Sequence, residues 1–192
     1  MSELGFNMNT RAGGFRFERL TVMVVDDNRH MLNLISEILR GLSIRQVIKL
    51  TDPADAFKEM LIVPVDILVV DFAMEMLNGI EFVQLVRSGK DSPDVFIPVI
   101  MVTGYSDVGT VQVARDAGVT EFLAKPISAK GLYMRILEVI NHPRPFIRTP
   151  IYFGPDRRRR TLPYEGTDRR VNEASEDADA AARLYPTQFI TP

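Results

Sequence analysis

A doubly wound α/β domain on a five-stranded parallel sheet is the fold class this sequence predicts, on three observations. Five short apolar runs recur between residues 19 and 142: Thr21–Val25, Arg45–Leu50, Ile67–Val70, Val99–Val102 and Glu121–Ala124. Most are rich in Val and Ile and are punctuated by Asp, Gly or Pro, as strands buried on both faces tend to be. Helical patterns fill the intervals, and parallel strands need such crossovers to run the same way.

Each helix has its own signal. Met31, Leu32, Leu34, Ile35, Ile38 and Leu39 give the first an apolar face that stops at Gly41. Asp52 followed by Pro53 is a cap and first-turn pair, and Ala56, Phe57, Met60 and Leu61 continue that second helix. Ile80, Phe82, Val83 and Val86 make a third. Asp107 opens a fourth that runs to Ala117 and stops at Gly118, and Ser128 caps a fifth through Ile140, closed by Asn141 and Pro143.

Composition divides the 192 residues into a lead (1–18), the α/β domain (19–142) and a tail (143–192). Phe15 and Phe17 could tether the lead to the domain. Seven of the 12 prolines lie in the tail, which combines arginines with acids and holds little to bury, so disorder is expected there. A net charge of −2 argues against strong overall attraction to nucleic acid or membrane, and the lack of cysteine excludes disulfides and thiolate chemistry. No apolar stretch is long enough to span a membrane, and the polar start lacks a signal-peptide core. A cytoplasmic protein is expected.

Open parallel sheets bind ligands outside the carboxyl ends of their strands. There the first run ends in Asp26-Asp27, the third in Asp71, the fourth in Thr103, and the fifth leads into Lys125-Pro126. Singly, each is as readily a loop, cap or solvated residue. Together they place three carboxylates, a hydroxyl and an ammonium at one edge. Crowded acids raise one another's pKa unless a cation is present, and few carboxylates with ample water suit Mg²⁺. A carboxylate oxygen could then attack a phosphoryl group, with Lys125 and Thr103 contacting its oxygens.

The segments Val22–Asn28 (VMVVDDN), Ile67–Gly79 (ILVVDFAMEMLNG), Pro98–Ser106 (PVIMVTGYS) and Ala114–Pro126 (ARDAGVTEFLAKP) resemble the receiver domain of bacterial two-component response regulators. The resemblance covers about residues 20–141 and implies a flavodoxin-like strand order of 2-1-3-4-5. It further implies Asp71 as phosphoacceptor, with Mg²⁺ held by Asp26, Asp27, Asp71 and the backbone carbonyl of Ala73. Thr103 and Lys125 would bind the phosphoryl group, Thr103 and Phe122 would form the switch, and Lys125-Pro126 would be cis. The implied partner is a sensor histidine kinase or a histidine phosphotransfer protein, with output by protein contact. The chain would be a signalling protein, catalysing only its own phosphorylation and dephosphorylation.

Some positions depart from that pattern. Glu75 stands where proline is frequent, Ala73 offers no polar side chain, and Tyr105 is bulky. The last two are expected to disfavour the attacking water and lengthen the phosphorylated state. His30 and His142 read as solvated or capping residues, with no pairing suited to a metal.

The tail carries Y-x-G-x-D-R-R twice. Tyr152, Asp156, Arg157 and Arg158, with Tyr164, Asp168, Arg169 and Arg170, are candidates for docking, since Arg pairs offer planar forks and Tyr an anchor. No helix-turn-helix pattern follows residue 142, so no DNA-binding domain is expected, although Arg157–Arg160 keeps binding through the tail open. A scaffold whose output ignores phosphorylation is a second alternative. A flavin carrier of the same fold class is a third, and acids at the first strand end would repel its phosphate.

Overall fold

The computed structural model describes residues 17–88, 91–104 and 108–158. Five βα units follow one another: β1 (Thr21–Val25), α1 (Arg29–Gly41), β2 (Gln46–Leu50), α2 (Pro53–Met60), β3 (Ile67–Asp71), α3 (Gly79–Arg87), β4 (Val99–Thr103), α4 (Val108–Asp116), β5 (Glu121–Ala124) and α5 (Ala129–Asn141). All pairings among β1–β5 are parallel, and the sheet order is β2-β1-β3-β4-β5.

β1, β3 and β4 are buried along their whole length, which is why they read as unbroken apolar runs. Alternate residues feed two cores. Val22, Val24, Val69, Val102 and Leu123 pack with Leu32, Ile35 and Leu39 of α1 and Leu132 and Ile136 of α5. Met23, Val25, Leu68, Val70 and Met101 pack on the other face with Ala56 of α2, Phe82, Val83 and Val86 of α3 and Ala114 of α4. Each Val, Leu, Ile, Met or Phe side chain among them withdrawn from water contributes about 1.5–3 kcal/mol. Leu34 departs from the expected face of α1 and is 45% exposed, because its position turns away from the Leu32–Ile35–Leu39 stripe.

Side chains set the helix starts. Asn28, Asp52 and Ser128 each accept a hydrogen bond from the first turn they cap, and Asn78 forms a reciprocal capping box with Glu81. Ahead of β1, Phe17 lies in a short 3₁₀ turn and tilts against Tyr133 of α5 with ring centroids 5.9 Å apart, the tether expected of it. Phe15 and the rest of the lead fall outside the described residues.

The structure corrects the expected onset of disorder at residue 143. β6 (Phe146–Thr149) and β7 (Tyr152–Pro155) form an antiparallel hairpin packed on the domain. Phe96, Phe146 and Phe153 form an edge-on and tilted cluster, with centroids 5.1–5.7 Å apart. Arg87 at the end of α3 is buried; it donates to the carbonyls of Val95, Ile97 and Gly118 and lies 5.1 Å over the Phe146 ring. The hairpin finds its apolar partners on the domain, so tail composition alone underestimates what it can bury. Gly118, with φ +96°, adopts the left-handed conformation, and a side chain there would press on Arg87.

Candidate functional site

The carboxyl ends of β1, β3, β4 and β5 converge as the residue types suggested. Asp26 follows β1 and is 1% exposed. The amide of Asn28 donates to its Oδ1 at 2.8 Å, so the start of α1 orients the carboxylate. Its Oδ2 is buried and meets no hydrogen-bond partner among the described residues. Asp27 is exposed, and its Oδ2 accepts from the amide of Glu75 at 3.0 Å, tying the loop after β1 to the loop after β3.

Asp71 is the last residue of β3 and is 4% exposed. The Lys125 ammonium reaches its Oδ1 at 2.7 Å, while the amide of Ala73 donates to Oδ2 at 3.3 Å. Thr103 is buried at the end of β4, and its carbonyl accepts from the Lys125 amide at 2.8 Å. The Lys125–Pro126 peptide is cis. Phe122 is half-buried and leans on the core that faces α3 and α4. Tyr105, like the expected opening residue Asp107, lies outside the described residues.

Ligand oxygens of Asp26, Asp27 and Asp71 all lie within 4.8 Å of one another. Burial pushes the Asp26 carboxyl up to about 6; the charges of Asp71 and Asp27 add to this, while the Asn28 amide and Lys125 oppose it. Three carboxylates against one ammonium leave two negative charges uncompensated. An orphaned buried oxygen in an all-oxygen donor set suits a hard divalent cation such as Mg²⁺.

Gly79 is a site residue to which the sequence reading assigned no role. Its amide donates to the Phe72 carbonyl at 3.0 Å, and a Cβ there would run into the carbonyl oxygen of Asp71. Glycine therefore lets α3 start directly against the end of β3. Its place eight residues after an acidic strand end, behind a capping Asn, was the available signal.

The first tail motif lies at the other pole. Tyr152 is buried, donating to the Pro155 carbonyl at 2.7 Å, and Arg157 stacks 4.1 Å over its ring while pairing with Asp116 at 2.7 Å. The amide of Asp156 donates to the Pro145 carbonyl, and its Oδ1 accepts from the amide of Arg158. Tyr164, Asp168, Arg169 and Arg170 lie outside the described residues. His30 is exposed beside its cap, and His142 ends α5 with its Nδ1 3.2 Å from Glu138.

Comparison with known proteins agrees with this geometry. The model of the response regulator receiver domain matches residues 22–137. The chain is 30% identical over 122 residues to the chemotaxis protein CheY1 of Helicobacter pylori, covering 63% of this chain and 96% of that protein. It is 31% identical over 117 residues to the cyclic di-GMP phosphodiesterase response regulator RpfG of Xanthomonas campestris, covering 60% of this chain but spanning only 30% of that protein's length. Among solved structures, the chemotaxis protein CheY4 of Vibrio cholerae superposes with a TM-score of 0.57 at 25% identity, over 62% of this chain and 98% of that one. Fold, strand-end chemistry and these likenesses coincide, and the chain belongs to the family of two-component response regulator receiver domains.

Proposed function

We propose that this chain receives a phosphoryl group on Asp71 from a phosphohistidine of a sensor histidine kinase or a histidine phosphotransfer protein. It then signals by binding another protein. The observation that carries the reading is the buried Asp71 carboxylate, paired with Lys125 at 2.7 Å and clustered with two further acids. Asp26, Asp27, Asp71 and the carbonyl of Ala73 would hold Mg²⁺, which supplies neutralising charge to the incoming phosphoryl oxygens.

The residues divide the work of transfer. Asp71 attacks phosphorus as a carboxylate; a phosphorus–oxygen bond forms, the phosphorus–nitrogen bond breaks, and the histidine leaves with its electron pair. Lys125 moves its contact from the bare carboxylate to a phosphoryl oxygen, and the Thr103 hydroxyl takes another. Thr103 drawn inward leaves room for Phe122, which is half-buried, to turn in behind it. Burial of Asp71 keeps bulk water away from the mixed anhydride.

Phosphohistidine donors of this kind work in the cytoplasm, and the same compartment is proposed for this chain. No helix among the described residues is long and apolar enough to cross a membrane. Incubation with acetyl phosphate and Mg²⁺, followed by intact-mass measurement, is expected to add one phosphoryl group. Asp71→Asn should abolish it, and removal of Mg²⁺ by a chelator should suppress it. Undiminished labelling of Asp71→Asn would overturn the assignment.

A further inference from the structure

The C-terminal hairpin grips two elements that also frame Asp71, and it grips them at their far ends. β5 leads directly into Lys125, whose ammonium pairs with Asp71. At the opposite end of β5, Glu121 is 1% exposed and holds Arg144, just ahead of β6, at 2.7 Å and Arg135 of α5 at 3.1 Å. The four steps of nearly extended chain from Glu121 to Lys125 span about 13 Å. One short strand thus connects the hairpin's anchor to the phosphoacceptor's partner.

α4 is two-ended in the same sense. It begins at Val108 and finishes at Asp116, which takes the Arg157 guanidinium at 2.7 Å. Immediately beyond, the hairpin closes down tightly: a Cβ on Gly154 would sit 3.0 Å from the Gly118 Cα and 2.7 Å from the Tyr152 hydroxyl. Arg87 completes the seat under Phe146.

We infer that the hairpin is a latch whose docking is coupled to the phosphorylation of Asp71. The docked hairpin favours the unphosphorylated arrangement, and phosphorylation loosens it. The inference rests on the phosphoacceptor reading given above. The sign follows from Lys125. The docked hairpin accompanies a direct 2.7 Å contact between its ammonium and the Asp71 carboxylate. A phosphoryl group on that carboxylate inserts its own oxygens between the two, so the Lys125 ammonium must draw back, and in the latch the carboxyl end of β5 is displaced with it. The other end of β5 is clamped through Glu121 to Arg144, and Thr103, at the end of β4, is drawn toward the phosphoryl group. Displacement at one end of each element therefore works against the clamp at its other end. Coupling between two binding equilibria is reciprocal.

Hydrogen exchange on the full chain in Mg²⁺, with and without beryllofluoride as the phosphoryl mimic, tests the latch. Amides of residues 146–155 are expected to exchange at least about fivefold faster when beryllofluoride is bound. By reciprocity, Arg144→Ala and Arg157→Ala should bind beryllofluoride at least about fivefold more tightly than wild type. Should Arg144→Ala fail to fold, Arg157→Ala, which alters a partly exposed side chain, carries the comparison alone. If beryllofluoride protects residues 72–78 while 146–155 exchange unchanged or more slowly, or if Arg157→Ala binds with wild-type affinity, the latch is overturned and the receiver reading stands. No response to beryllofluoride anywhere, together with no labelling by acetyl phosphate, overturns the phosphoacceptor reading and the latch with it.

Discussion

Asp26 is the residue at which the site's electrostatics become measurable. Its carboxyl is raised to about 6, chiefly by burial, from an ordinary value of 3.8. The folded metal-free protein therefore holds a proton between those values that the unfolded chain releases. Its contribution to stability is present below about pH 4 and lost as pH rises through about 6. The full shift corresponds to roughly 3 kcal/mol as an upper bound. Asp26→Asn is accordingly expected to stabilise the metal-free protein by roughly 1–3 kcal/mol at pH 7.5 and to have little effect at pH 4, measured by urea unfolding. Mg²⁺ should narrow the difference by stabilising only the wild type.

Gly79 makes the opposite kind of residue-scale statement. A methyl group at this position meets backbone, not a side chain that can swing away. Gly79→Ala is expected to cost about 2 kcal/mol or more in urea unfolding and to slow phosphorylation by acetyl phosphate, because Asp71 moves with its own carbonyl. A wild-type unfolding midpoint and labelling rate would refute the close-approach role.

Among the elements, those with two buried faces were the most legible. β3 and β4 carry nothing polar until their last residue, and β1 after Thr21 nothing until Asp26 just beyond it, so their carboxyl ends announced both strand and site. Asn28, Asp52 and Ser128 cap their helices by short-range bonds that need no tertiary knowledge. The hairpin was illegible for the converse reason. Its partners, Arg87, Phe96 and Gly118, lie far upstream, and the Pro-rich segment has no clean alternation of its own. In sequence Arg87 is one more basic residue at the end of α3; only the fold brings three carbonyls around its guanidinium.

Across the whole molecule, the two Y-x-G-x-D-R-R copies are not equivalent. Twelve residues beyond Phe146 and Phe153 stand Arg158 and Glu165. The second copy therefore cannot rebuild the aromatic cluster, and replacing the first would forfeit about 1.5–3 kcal/mol for each lost ring. Tyr152→Ala is expected to cost about 3 kcal/mol, lowering the melting temperature by several degrees. Tyr164→Ala should leave it unchanged. Equal losses from both variants would mean that the copies share the stabilising role.

The seating of the hairpin on Asp116 and Gly118 also gives the molecule a polarity of traffic. On the proposed function a phosphoryl donor would approach Asp71 from the carboxyl ends of the strands, whereas Arg157 lies at their amino ends, beside α4's last turn. A protein bound to the hairpin at that pole would not cross the donor's path. The body can thus be moored by one pole while the other is being charged, so anchorage and signal reception need not compete for space.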